Sequence, residues 1–147
     1  MSEQNVETVR CWIDQFAGAT TPEAVAAVVR QHWDTNADYY PVGKFPDRQP
    51  RHGLEQIAEF MGTWSDAWDA FEFTASEIVP IDDVRVFLRA SVKAQGHQTQ
   101  APVDGDLYFS IWMRNGRLLR VEDHLTESGA RRGLGLDGPL DATTQDA

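Results

Sequence analysis

The chain has 147 residues, of which 41% are hydrophobic and 24% charged, and a formal net charge of −10. That length suits one domain around one core, and the acidic balance argues against nucleic acid and anionic membrane surfaces as partners. Cys11 is the one cysteine, which excludes an internal disulfide and fits a reducing compartment.

The opening MSEQNVETVR has neither the basic start nor the apolar core of a signal peptide. The aliphatic run from Ala24 to Val29 is too short to span a bilayer. A cytoplasmic protein without a membrane segment is expected. Residues 3 to 17 place Val6, Val9, Trp12, Ile13 and Phe16 at helical spacing, and Gly18 closes this first helix. Thr21-Pro22-Glu23 supplies an N-cap, a first-turn proline and an acidic first turn for a second helix, whose stripe is Val25, Val28, Val29 and Trp33. Asp34 to Asp38 reads as a polar connector, Tyr39-Tyr40 as a short strand stopped by Pro41, and residues 43 to 52 as a proline-rich charged loop. A third helix follows Gly53, with Leu54, Ile57, Phe60, Met61 and Trp64 on one side.

From there the period is two. Phe71 to Val79 and Val84 to Ala94 read as strands joined through Pro80 and Asp82-Asp83. In the second, Val84, Val86, Leu88, Ala90, Val92 and Ala94 share one face, opposite Phe87 and its charged neighbours. Leu107 to Leu125 reads as a β-hairpin about Asn115-Gly116. A two-residue turn mixes apolar and charged residues on each face. A three-residue turn from Arg114 to Gly116 gathers Leu107, Phe109, Ile111, Met113, Leu119, Val121 and Leu125 on one side, and is preferred for that reason. One carboxylate, Asp123, stands on that apolar face. Beyond Glu127 small and polar residues dominate, and residues 136–147 are expected to form a disordered tail after a domain of residues 1–135.

Three helices followed by strands give an α+β fold, with the helices on one face of a curved, mostly antiparallel sheet. In its order of elements, in YYPVG, in FPDRQPRHGLEQIAEF and in WMRNGRLLRVEDHL, the chain resembles the SnoaL-like domain proteins of the nuclear transport factor 2-like superfamily. The resemblance spans about Val6 to Gly135. It implies a conical pocket, frequent homodimers, and functions from isomerases, cyclases and epoxide hydrolases to proteins without chemistry. The tyrosine, base and oxyanion aspartate of ketosteroid isomerases fall on Trp12, Tyr40 and Phe109, so that chemistry is not expected. The last-strand aspartate of limonene-type epoxide hydrolases matches Asp123, but their preceding Arg and Asp fall near Ala90 and Val92. SnoaL-type polyketide cyclases, which depend mainly on one pocket aspartate, are the nearest functional analogy.

The reading is a protein that holds a compact apolar or polyketide-like molecule. Asp123 is the candidate acid or base, Tyr40 a donor to a ligand oxygen, and Trp12, Phe16, Phe60, Trp64, Phe109 and Val121 the pocket wall. The alternative is a non-catalytic binding or dimerisation module in which Asp123 is only hydrogen-bonded. Glu122 and His124 share a strand face but lack a third metal ligand, and no metal or cofactor is expected. His32, His52 and His97 read as surface or loop residues. Phe87, Tyr108 and Trp112, mixed with Arg89 and Arg120, suggest a homodimer through the outer sheet face.

Overall fold

The computed structural model describes residues 2–41, 49–96 and 102–136. The expected tail, apart from Leu136, lies outside them, as do His97, most of the proline-rich loop and the side chain of Trp64. The helices are α1 (Ser2–Gly18), α2 (Pro22–His32), α3 (Leu54–Ala67) and α4 (Glu127–Gly133). The strands are β1 (Trp33–Tyr40), β2 (Arg51–His52), β3 (Trp68–Pro80), β4 (Arg85–Gly96), β5 (Pro102–Arg114) and β6 (Arg117–His124). They form one sheet in the order β2-β1-β6-β5-β4-β3, antiparallel except where β1 runs parallel to β6. No described helix is long and apolar enough to cross a membrane.

The inner face carries the main core. Val86, Leu88, Ala90 and Val92 of β4 meet Leu107, Phe109, Ile111 and Met113 of β5, and α1 to α3 close over them with Val9, Ile13, Val29 and Ile57. Thr21 caps α2 by accepting from the Ala24 amide. Arg117 donates to the carbonyls of Arg30, Gln31 and Trp33, satisfying acceptors that the end of α2 leaves free.

Several expectations are corrected. The polar stretch from Asp34 to Asp38 belongs to β1, because Trp33 and Ala37 are buried and the segment pairs with β6. The hairpin turn has two residues, Asn115 and Gly116, both with positive φ (52° and 76°), and Arg114 pairs with Arg117. A bulge then skips Leu119, so Met113 faces Leu118 while Trp112 faces Arg120. The bulge reconciles the two turn choices. It restores the parity that puts Ile111, Phe109, Val121 and Asp123 inside, and it buries Leu118 instead of Leu119. Leu125 lies past the strand end and is 47% exposed; Val84 belongs to the preceding turn and is 50% exposed. His32 is a buried residue at the end of α2, bonded to Gln15 at 2.9 Å.

The fourth helix was not foreseen. Thr126 caps α4 by accepting from the Gly129 amide, with Glu127 in its first turn and Arg131 and Arg132 in its last. It lies on the outer sheet face, where Ala130 and Leu134 bury Phe87 and Leu136 packs beside them. Phe87 is therefore inside the monomer rather than on an open dimer face.

Candidate functional site

Strand alternation places the site. On β1, Tyr39 points inward and is 1% exposed, while Tyr40 points outward. Tyr39 lies opposite Val121 in the parallel β1–β6 ladder, which brings its hydroxyl to the next inward residue of β6, Asp123. The phenol donates to Asp123 Oδ2, and both groups are buried. Across the hairpin Asp123 faces Phe109, which offers no hydrogen bond. Among the described residues, Asp123 Oδ1 has no partner.

The electrostatics follow from this geometry. Burial pushes the Asp123 carboxyl up from 3.8 to about 8, against the Tyr39 hydrogen bond, which favours the carboxylate. Burial also holds the Tyr39 phenol well above its ordinary range, with the Asp123 charge and hydrogen bond adding to it and Arg51 opposing. Tyr39 is thus a fixed donor, and Asp123 is the group able to change charge near neutrality. Arg51 lies over the Phe60 ring, 4.2 Å from its centroid.

The residues proposed from sequence divide in two. Trp12, Phe16, Phe60, Phe109 and Val121 lie with Asp123's partner Tyr39 in the inner core. Trp12 meets Phe16 and Trp33 edge-on at 6.2 and 5.4 Å, Trp33 meets Tyr39 at 5.9 Å, and Tyr39 tilts against Phe60 at 6.0 Å. Tyr40 does not join them. It lies on the outer face against His52 at 6.2 Å, with the Arg120 guanidinium 4.6 Å from its ring centre. The hydroxyl on Asp123 is that of Tyr39, one residue earlier, and Trp33 is the other member sequence reasoning missed. A signal for both existed: Trp33, Ala37 and Tyr39 share one parity, which becomes visible once the strand is started at Trp33.

Elsewhere, a groove of about 530 Å3 between α2 and α3 has Glu23, Arg30, Glu55 and Glu59 on its walls, with Arg30 held by Glu55 at 2.8 Å. Its charged groups are exposed and paired or solvated, unlike the inner pair. Among the described residues no cluster of three or more His, Cys, Asp or Glu is placed to hold a metal.

This architecture is the nuclear transport factor 2-like fold. A protein from a soil-derived mobile gene cassette superposes with a TM-score of 0.72 at 21% identity, covering 90% of this chain and 97% of its own. A structure described as a SnoaL-like polyketide cyclase, from Jannaschia sp. CCS1, gives 0.70 at 18% identity, covering 94% and 95%. A ketosteroid isomerase-like protein from Catenulispora acidiphila, in complex with trimethylamine, gives 0.67 at 15% identity, covering 89% and 94%. No protein-family model and no curated protein matches the chain.

Proposed function

We propose that the chain binds a compact apolar molecule in the interior between α1, α3 and the sheet, and performs cofactor-independent proton transfer on it through Asp123. The observation that carries this reading is a buried carboxyl with one oxygen held by Tyr39 and the other unpartnered among the described residues. A buried acid without full hydrogen bonding is costly, and such groups concentrate at sites of proton transfer. With its affinity for the proton near 8, Asp123 is mostly the neutral acid at pH 7 and still ionises in part, so it serves either direction of transfer. In a ketone enolisation, the Asp123 carboxylate takes the proton from the carbon beside the carbonyl. The C–H pair becomes the new C=C bond and the carbonyl π pair moves to oxygen. Tyr39 keeps its own proton throughout and stabilises the carboxylate form. The aromatic wall keeps bulk water from the carbon during the transfer, and Asp123 exchanges its proton with solvent between turnovers.

Isomerases, cyclases and some hydrolases need this elementary step, and the likeness to a SnoaL-like cyclase fits it. The test is deuterium exchange at the carbon beside the carbonyl of 1-tetralone in D2O, followed by proton NMR. Wild-type protein is expected to accelerate exchange, and Asp123→Asn to lose roughly two to four orders of magnitude of that rate. If tetralone binds but exchange is no faster than in buffer, the reading reverts to a ligand-binding module of the same fold.

The setting proposed is the cytoplasm, supported by a single, unpaired, half-buried cysteine. The macromolecular partner proposed is a second copy of the chain. Tyr40, Trp112 and Arg120 make an aromatic–guanidinium stack on the outer face, with Arg120 5.3 Å from the Trp112 ring centre, a composition common at interfaces.

A further inference from the structure

Asp123 is not the only polar group left unpartnered inside. The indole Nε1 atoms of Trp12 and Trp33 are also buried without a hydrogen-bond partner among the described residues. Trp12 is 2% exposed and Trp33 is wholly buried. They come from different elements, the middle of α1 and the start of β1, and meet edge-on at 5.4 Å. Trp33 in turn meets Tyr39 edge-on, and Tyr39 holds Asp123. One continuous aromatic group therefore contains two idle N–H donors and an idle carboxyl oxygen.

Leaving a buried donor unpaired costs about 1–3 kcal/mol, and a core that needs only packing has phenylalanine or leucine available at no such cost. An N–H aimed at a neighbouring ring recovers less than an ordinary hydrogen bond. Indole donates and never accepts. Among the described residues, the interior therefore holds two indole donors against the single idle Asp123 oxygen.

We propose that Trp12 and Trp33 hold an acceptor oxygen of the ligand, and that the ligand is a compact apolar molecule bearing a carbonyl or enolate oxygen. This rests on the reading of the interior as a ligand site and adds to it the chemical class of the ligand and two specificity-determining residues. A site built to hydrogen-bond an oxygen discriminates strongly against the analogue lacking it, because its own donors are then stranded.

The test compares 1-tetralone with tetralin, which has the same ring skeleton without the carbonyl. Affinities come from tryptophan fluorescence, and the indole N–H signals of 15N-labelled protein are followed in parallel. Replacing Trp64, Trp68 and Trp112 by phenylalanine in turn assigns the Trp12 and Trp33 signals by exclusion, with both residues kept. Tetralone is expected to bind at least tenfold more tightly than tetralin and to move both indole signals downfield. In Trp12→Phe and Trp33→Phe, where these fold, that preference should shrink. Equal affinities, or tetralone binding with both signals unmoved, overturn the proposal. So does failure of both compounds to bind. A tetralone preference that survives both tryptophan substitutions but disappears in Asp123→Asn overturns it while leaving the Asp123 reading intact.

Discussion

At the scale of single residues, the chemistry turns on which of two adjacent tyrosines faces in. Tyr39 donates to a buried carboxyl, whereas Tyr40 stacks on Arg120 outside. Removing the Tyr39 hydroxyl strips Asp123 of the donor on its Oδ2, and that hydrogen bond pulls the carboxyl toward ionisation. Tyr39→Phe should therefore raise the Asp123 pKa beyond about 8 and cost about 1–3 kcal/mol in denaturant unfolding, the scale for a buried hydrogen bond. Tyr40→Phe should leave the titration of Asp123 where it is. Equal effects of the two substitutions on that titration would contradict the assignment. Asp123 itself was legible in the sequence, because one carboxylate on an apolar strand face breaks the alternation. Its partner was missed, since YY presents the same side chain to both faces and the parity that separates them shows only when the strand is started at Trp33 rather than at Tyr39.

At the scale of elements, α4 is held by close approach. A methyl group at Gly133 would fall 2.7 Å from Ser110 Oγ, 2.8 Å from Glu122 Oε1 and 3.1 Å from His124 Nε2. Ser110 is fixed by donating to the Ala130 carbonyl at 2.7 Å, and Glu122 by Arg120 at 2.9 Å, so neither yields freely. Gly133→Ala should cost about 1–3 kcal/mol and speed hydrogen exchange at the Ala130 and Leu134 amides, reading out a lifted helix. Gly18→Ala, where nothing lies within 4 Å, is the control and should be neutral or slightly stabilising. The three longer helices were readable because each has an apolar stripe at helical spacing. The fourth has seven residues with two glycines and an apolar face of little more than Ala130, too short for periodicity to register. Its remaining signals were the Thr126 cap and the acid-to-base charge order. The hairpin shows a different failure: the faces from Leu107 to Met113 and at Val121 and Asp123 were assigned correctly, but the turn and the residues beside it were not. A two-residue turn followed by a bulge has the same parity as a three-residue turn and swaps Leu118 for Leu119.

At the scale of the whole molecule, the sheet's outer face and the pH dependence of stability are the measurable consequences. If Tyr40, Trp112 and Arg120 form a self-complementary interface, light scattering at about tens of micromolar, a concentration typical of weak interface affinities, should give the dimer mass, and Trp112→Glu the monomer mass. For the pH dependence, the folded Asp123 binds its proton more tightly than the unfolded chain does, with pKa about 8 against 3.8. Its contribution is therefore complete below about pH 4 and is lost as pH rises toward and through about 8, with a limiting slope of about 1.4 kcal/mol per pH unit. Asp123→Asn should flatten that part of the stability profile. The most direct measurement follows the carboxyl carbon of Asp123 through a pH titration by 13C NMR. A midpoint near 8, moved upward in Tyr39→Phe, is the predicted result. A midpoint at or below about 3.9, the value of an aspartate in water, would contradict the account.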